Sequence, residues 1–345
     1  MSVVHSIGET NLSLVRAGNC DPWLHTSLVE PAERFMDRSG KQIRKTIVDL
    51  VYTMAGGRGS APACLGDSIE WLHAGSLIID DIQDASPTRR NQPSLYMEIG
   101  VPLALNAGNW MYFQSLDKLF DDSLSIRIQH RLLHHLIRTG LRCHQGQALD
   151  MGASVDQVDP SSVRALVHQI SRLKTGSLVA MAATFGSVAA GAAKTLRAAL
   201  SQFGMNIGIA LQMRNDLDEL RALALAAPKG LELRTDDLRN ARITWPWAWA
   251  QQVCSADDFE QLVIQLRAAK ENPDALVALA NRLLQHTCAL GDKVIQERVE
   301  TQFRLLGEHV LDAKAMSSMR SALKRISHSH LNSLPLGEIA DVDLT

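Results

Sequence analysis

Three aspartates at the end of an apolar segment are the residues in this sequence best suited to chemistry. The segment LIIDDIQDASPTRR places Asp80, Asp81 and Asp84 within five positions. Asp80 and Asp84 are four residues apart, so they would share one face of a helix. Their charges would repel each other, and Mg²⁺ would relieve that repulsion, since it takes one or two carboxylates and fills its shell with water and phosphate oxygens. The alternative is a solvated acidic helix end without chemistry.

Two arginines follow these aspartates directly, at Arg89 and Arg90. Guanidinium groups bind phosphate through paired hydrogen bonds. Ser76 and His73 lie one and two turns before Asp80 on the same stripe of the predicted helix. Carboxylates that suit Mg²⁺, next to arginines that suit phosphate, predict a diphosphate bound through metal ions.

A second acidic segment, GIALQMRNDLDEL, spans residues 208–220. Gln212, Asn215 or Asp216, and Glu219 fall on one helical face at three-four spacing. Asn215 can offer a carbonyl oxygen to a metal ion, but it carries no charge. We therefore expect the metal ion here to bind more weakly than it would to an aspartate at position 215.

The elements that position these residues are predicted to be helices. Prolines are absent from 103–159, 161–227 and 274–334, where Ala, Leu, Gln and Arg are abundant. Apolar residues recur at three-four spacing. The predicted fold class is all-α, with one helical bundle over 31–330, an N-terminal extension over 1–30 and a polar tail over 331–345. The helix that carries the first acidic segment should end near Asp84, because Pro87 disfavours helix before it.

Composition excludes several classes of function. The chain has 345 residues, 46% of them hydrophobic, with 35 basic and 37 acidic residues and a formal net charge of −2. This balance predicts no nucleic-acid partner and no polybasic membrane contact. The five cysteines form no CxxC pair, which favours a reducing, cytoplasmic location over a disulfide framework or a zinc site.

Two segments bear on targeting. The N-terminus lacks a basic start followed by an apolar run, so we expect no signal peptide. The uncharged stretch over 175–193 is rich in Ala, Gly, Ser and Thr. It is expected to form a closely packed helix inside the bundle and not a membrane span.

The segment DDIQD, followed by Arg-Arg, resembles the first aspartate-rich motif of the trans-isoprenyl diphosphate synthases. The resemblance is closest to the eukaryote-type geranylgeranyl diphosphate synthases. Four more segments resemble this family in the same order: SGKQIRK at 39–45, LKTGSLV at 173–179, the second acidic segment, and the loop at 226–246. Five motifs in order are specific, whereas each alone is weak.

The resemblance implies an enzyme that condenses isopentenyl diphosphate with an allylic diphosphate, and a homodimer. The implied catalytic residues are Asp80, Asp81, Asp84, Arg89 and Lys174. The implied ligands of isopentenyl diphosphate are Lys41, Arg44, His73 and Arg90. The other implied substrate-binding residues are Thr175, Gln212, Lys229 and Arg242. The implied ligands of Mg²⁺, three ions with substrate bound, are Asp80, Asp84, Asn215, Asp216 and Glu219.

Product length is predicted from the pocket below Asp80. Gly75 and Ser76 precede Asp80 by five and four positions. An aromatic residue at either position would stop the growing prenyl chain at about fifteen carbons. By resemblance, Tyr112, Phe113 and His144 would close the pocket further down, although ordinary core packing would also explain them. Geranylgeranyl diphosphate is the predicted product.

Two alternatives stay open. A terpene cyclase would share the fold, and Asn215-Asp216 resembles the start of its NDxx(S/T)xxxE motif. The later positions of that motif are Glu219 and Leu223 here, which do not match. The second alternative is a non-catalytic partner subunit of an active synthase, which Asn215 favours and the intact DDIQD disfavours.

Overall fold

The computed structural model describes residues 21–38, 42–90, 92–225, 236–270, 272–310 and 312–328. The chain is helical through most of these ranges, and the prediction of an all-α fold is confirmed. The α-helices are α1 (Asp21–Leu24), α2 (Glu30–Asp37), α3 (Ile43–Met54), α4 (Ala63–Gln83), α5 (Leu95–Ile99), α6 (Val101–Asp117), α7 (Ile126–Gly152), α8 (Val163–Ser171), α9 (Ser177–Ala189), α10 (Lys194–Ala224), α11 (Asp236–Arg239), α12 (Trp245–Val253), α13 (Ala256–Ala269), α14 (Pro273–Gly307) and α15 (Ala313–His328).

Shorter elements connect some of these helices. Two π-helical turns span His25–Val29 and Arg172–Gly176, and a 3₁₀ turn spans Pro160–Ser162. A small antiparallel hairpin pairs β1 (Thr88–Arg89) with β2 (Gln92–Pro93). Lys41 and Lys229, two of the predicted substrate-binding residues, lie outside the described residues.

The chain divides into two compact units. Unit one comprises Met1–Gly40 and Trp71–Ser115, and unit two comprises Lys41–Glu70 and Leu116–Thr345. Each unit has its own buried core. The prediction of a single domain over 31–330 stays a prediction.

The core of unit one forms where α2, α4 and α6 meet. Phe35 of α2, Ile78 of α4 and Met111 of α6 are buried together. Helices α4 and α6 approach closely at Gly75 and Gly108, because a Cβ atom on Gly75 would lie 2.7 Å from the Gly108 carbonyl oxygen. This close crossing fixes the helix that carries the first acidic segment.

Helix α4 ends where the sequence predicted. Its last residue is Gln83, and the backbone N–H of Asp84 still donates to the Asp80 carbonyl at 2.9 Å. Ala85 then adopts a left-handed φ of 52°. The chain leaves the helix at this residue, and Ser86 donates its N–H to the Asp81 carbonyl at 2.9 Å.

Helix α9 runs through the core of unit two. All twelve residues from Ser177 to Val188 are buried. A Cβ atom on Gly186 would lie 2.5 Å from the Val48 carbonyl oxygen of α3. The prediction of a closely packed helix is therefore confirmed. In the ranges that the structure describes, no helix combines the length and apolarity needed to cross a membrane.

Helices α10 and α12 complete the part of unit two that carries the second acidic segment. Helix α10 packs on α9 and α14. Trp245, Trp247 and Trp249 of α12 are buried in the core of unit two. The indole Nε1 of Trp245 donates to Ser171 Oγ at 2.9 Å, so the start of α12 is anchored to α8.

Candidate functional site

The three aspartates at the end of α4 occupy different environments. The Asp81 side chain is only 1% exposed, and its Oδ1 accepts hydrogen bonds from both Nε (2.7 Å) and Nη2 of Arg89. Asp80 and Asp84 are partly buried and lie one helical turn apart. The structure therefore ties Asp81 to the hairpin, while Asp80 and Asp84 form the pair whose placement suits a cation.

Arg90 lies at the tip of the hairpin with a left-handed φ of 56°. Its Nη1 donates to the backbone carbonyl of Arg38 at 2.9 Å. Arg38 itself contacts the other strand, because its Nη1 donates to the Pro93 carbonyl at 2.7 Å. Our sequence reasoning missed Arg38, since its contacts join residues more than fifty positions apart.

Two residues of the predicted product pocket lie on α4. Ser76 is partly buried, and its hydroxyl donates to the His73 carbonyl at 2.7 Å. Gly75 is buried against α6, where a Cβ atom would also lie 3.1 Å from Met111 Cβ. Helix packing therefore requires a small residue at position 75, and its predicted role in product length stays a prediction. His73 is partly buried.

The three aromatic residues predicted to close the pocket differ in exposure. Tyr112 of α6 is partly buried, and its ring lies near Gly75. Phe113 is 71% exposed in the single chain. His144 on α7 is also exposed. Phe113 and His144 are thus not buried in the core of their units, and their assignment to the pocket stays a prediction.

A chain of hydrogen bonds connects three predicted residues of unit two. The Thr175 hydroxyl donates to Gln212 Oε1 at 2.5 Å, and Gln212 Nε2 donates to Asp216 Oδ1 at 2.7 Å. The second carboxylate oxygen of Asp216 accepts the backbone N–H of Trp245 at 3.0 Å. Asp216 therefore holds together the segment at 173–179, the second acidic segment and the start of α12.

Asp216 is only 6% exposed, and this burial raises the pKa of its carboxyl group. Burial, together with the negative charges of Asp237 and Asp150, raises the pKa of Asp216 to about 8. The hydrogen bonds from Trp245 and Gln212 oppose this rise but do not cancel it. A nearby cation would favour the charged form and release the proton.

The other members of the second acidic segment face different surroundings. Asn215 is exposed, whereas Glu219 is partly buried and lines a cavity with Asp216 and Asp237. Asp237 comes from α11, and our sequence reasoning missed it because it follows the segment by many residues. Within the described residues, no group of three or more His, Cys, Asp and Glu side chains is arranged to hold a metal ion.

Two predicted cationic residues of unit two meet at Asp150. Lys174 Nζ lies 2.5 Å from Asp150 Oδ2, and Arg242 Nη1 donates to the Asp150 carbonyl at 2.8 Å. The sequence holds a signal for Asp150, since no acidic residue precedes it in α7. The third predicted cation, Arg44 of α3, is partly buried.

The chain is similar to known proteins over most of its length. A family model described as polyprenyl synthetase matches residues 25–283. A short chain isoprenyl diphosphate synthase of Methanothermobacter thermautotrophicus is 27% identical over 285 residues, or 79% of this chain and 84% of that protein. A geranylgeranyl pyrophosphate synthase of Rhodocybe pseudopiperita is 30% identical over 182 residues, and the match spans 52% of this chain and only 50% of that protein.

Solved structures share the fold. A geranylgeranyl pyrophosphate synthetase from Pyrococcus horikoshii superposes with a TM-score of 0.71 at 22% identity, covering 89% of this chain and 90% of that one. A decaprenyl diphosphate synthase from Rhodobacter capsulatus gives the same TM-score of 0.71 at 17% identity, covering 90% and 94%. The two names carry different product lengths, so the shared fold does not set the length of the product.

Proposed function

We propose, since this chain belongs to the polyprenyl synthetase family, that it is a prenyltransferase. It would condense isopentenyl diphosphate head-to-tail with an allylic diphosphate. The observation that carries this proposal is the end of α4, where Asp80 and Asp84 lie one turn apart and Asp81 is paired with Arg89. Carboxylates next to a fixed guanidinium suit a diphosphate bound with metal ions.

The donor set at the end of α4 fits Mg²⁺, because partly exposed carboxylates one turn apart can share a hard cation with phosphate oxygens. Asp80 and Asp84 would hold it there, and Glu219 with Asn215 and Asp216 would contribute at the second segment. Bound Mg²⁺ supplies positive charge that stabilises the leaving diphosphate. Asp216 fits least well as a direct ligand, since both of its oxygens already accept hydrogen bonds.

Side chains of the protein would bind the two diphosphates and stabilise the charge that develops on the leaving one. Arg89 and Lys174 would stabilise the charge that develops on the allylic diphosphate as its carbon–oxygen bond breaks. Thr175 and Gln212 would orient that end of the site through their hydrogen bond. Arg44, His73 and Arg90, with Lys41, would hold the second diphosphate.

The chemistry needs no dedicated protein base. The double bond of isopentenyl diphosphate attacks the allylic cation, and a new carbon–carbon bond forms. The departing diphosphate can then accept the proton that is lost from the adjacent carbon. We propose geranylgeranyl diphosphate as the product, supported by Ser76 on α4 and by the names of several relatives.

An assay of the purified chain tests the proposal directly. It should be incubated with Mg²⁺ and isopentenyl diphosphate together with dimethylallyl, geranyl or farnesyl diphosphate in separate reactions. Elongation of the allylic chain is expected. Hydrocarbon release from a prenyl diphosphate alone would identify a cyclase instead, and no turnover would favour a non-catalytic partner subunit.

A pair of variants connects activity to the acidic helix end. Asp80→Ala should abolish elongation while the far-ultraviolet circular dichroism stays unchanged, because one of the two cation-suited carboxylates is lost. Asp122→Ala removes an exposed carboxylate of the same kind and should leave activity intact. Near-normal activity of Asp80→Ala would contradict the metal assignment.

A homodimer, a cytoplasmic location and the absence of a nucleic-acid partner belong to the same proposal. The family supports the homodimer, the cysteine pattern supports the location, and the charge balance supports the absence of a nucleic-acid partner. Light scattering coupled to size-exclusion chromatography would test the dimer first, since a monomeric mass would remove it.

A further inference from the structure

We infer that Arg38 is a positioning residue, which acts by holding the hairpin that carries Arg90. This inference rests on the proposed function, because Arg90 is taken to bind the diphosphate of isopentenyl diphosphate. Arg38 lies directly after α2 and was not among the predicted site residues. Arg38, the hairpin and α5 all lie within unit one.

The guanidinium of Arg38 is almost completely removed from solvent. Its side chain is 3% exposed, and Nη2 lies 2.5 Å from Glu98 Oε1 on α5. The guanidinium carbon also lies 5.0 Å from the centre of the Phe35 ring. A buried charge is costly unless it is paired and hydrogen-bonded, so this geometry is well determined by its surroundings.

Arg38 makes hydrogen bonds to β2 and to Arg90 at the tip of the hairpin. Its side chain donates from Nη1 to the Pro93 carbonyl of β2 at 2.7 Å. Its backbone carbonyl accepts Nη1 of Arg90, which follows β1, at 2.9 Å. Arg38 therefore fixes β2 through its guanidinium and orients Arg90 at the tip of the hairpin through its main-chain carbonyl.

The hairpin needs such an anchor because each strand has only two residues. Isolated hairpins are marginally stable even when they are longer. Arg90 also adopts a left-handed φ of 56°, which is unfavourable for a residue other than glycine and requires support from its surroundings.

Arg89 has a separate anchor, which makes the inference selective. It is held by Asp81 through Nε at 2.7 Å and through Nη2. Weakening Arg38 should therefore displace Arg90 more than Arg89. The expected consequence is a loss of binding for isopentenyl diphosphate, with the allylic diphosphate affected much less.

Arg34 of α2, the helix that Arg38 directly follows, provides a matched control. Its Nη2 lies 2.8 Å from Glu98 Oε2, so it shares the acidic partner of Arg38. Its side chain, however, is 48% exposed, and its ion pairs are with Glu30 and Glu98 and not with the described residues of the hairpin. Arg34→Lys and Arg38→Lys thus make the same chemical change around the same carboxylate.

The experiment measures the Kd of isopentenyl diphosphate by calorimetry, together with KM for each substrate and the melting temperature. Arg38→Lys keeps the charge but loses the rigid fork that reaches Glu98 and Pro93 together. We expect its Kd and KM for isopentenyl diphosphate to rise about 10-fold to 100-fold. The allylic KM should change less than about 3-fold, and Arg34→Lys should match the wild type in every quantity.

A double variant separates positioning from general destabilisation. In an Arg90→Ala background, Arg38→Lys should add little further loss, because it acts through Arg90. Full additivity, or an unchanged Kd in well-folded Arg38→Lys, would overturn the inference. Glu98→Gln offers a milder route to the same displacement if the Arg38 variant folds poorly.

Binding and turnover keep the two proposals apart. If the wild type binds isopentenyl diphosphate and does not elongate an allylic chain, the proposed function fails while the Arg38 effect on Kd can still be measured. If the wild type does not bind isopentenyl diphosphate, the inference about Arg38 fails as well.

Discussion

The backbone N–H of Trp245 donates a hydrogen bond to Oδ2 of Asp216 at 3.0 Å. Trp245 is the first residue of α12, and Thr244 before it makes no side-chain cap. The first N–H groups of a helix lack partners within the helix and carry partial positive charge. Asp216 on α10 therefore caps α12 from a distant part of the chain, which couples the second acidic segment to the tryptophan-rich core.

The first prediction concerns stability against pH. Asp216 has a folded-state pKa of about 8, above its ordinary value of 3.8. The unfolded state thus loses its proton first, and the stability that Asp216 contributes is full below the unfolded pKa and is lost as pH rises to the folded one. Urea unfolding of metal-free protein should show stability falling by up to about 1.4 kcal/mol per pH unit in this window from this group alone.

Asp216→Asn removes the titrating group and should flatten that slope between about pH 5 and 8. Asp122→Asn, at an exposed position, should keep the wild-type slope. Equal slopes for Asp216→Asn and the wild type would refute this account of the buried carboxyl.

The second prediction concerns the crossing of α4 and α6. Gly75→Ala should lower the free energy of unfolding by about 1–3 kcal/mol, because the new methyl group would press on the Gly108 carbonyl. Gly140→Ala on α7 is the control, since its methyl group would meet no atom within 4 Å. The free energy of unfolding of Gly140→Ala should rise by up to about 1 kcal/mol, because alanine has a higher helix propensity than glycine. Denaturant unfolding of the two variants would reveal the opposite signs.

The third prediction concerns product length. Ser76→Phe should shorten the main product to about fifteen carbons, because the aromatic ring would fill the space below Asp80. Ser76→Ala loses the hydrogen bond to His73 without adding bulk, so it should keep the longer product. Chromatography of the dephosphorylated products would distinguish them. An unchanged product from Ser76→Phe would mean that the growing chain runs elsewhere.

The fourth prediction concerns the neutral member of the second acidic segment. Asn215→Asp adds a carboxylate at an exposed position of α10 and should lower the Mg²⁺ concentration for half-maximal activity by about 10-fold. Asn281→Asp makes the same change on α14 and should leave the Mg²⁺ dependence as it is. A Mg²⁺ titration of elongation activity decides between them, and no shift for Asn215→Asp would show that this position does not contact metal.

Local sequence patterns predicted much of the candidate site. The spacing of Asp80 and Asp84, the end of α4 before Pro87 and the helical character of the chain follow from rules that act over a few residues. The second acidic segment was found in the same way. Its internal arrangement was not, because the spacing could not tell that Asn215 is exposed and Asp216 is buried.

The sequence by itself determined an all-α chain with two acidic helical segments and the family to which they belong. Only the tertiary structure decided that Asp216 caps α12, that Arg38 pairs with Glu98 to hold the hairpin, and that Gly75 serves the crossing with α6. These contacts join residues tens of positions apart, so they leave no period in the sequence. They depend on burial and on which polar groups meet once the helices have packed.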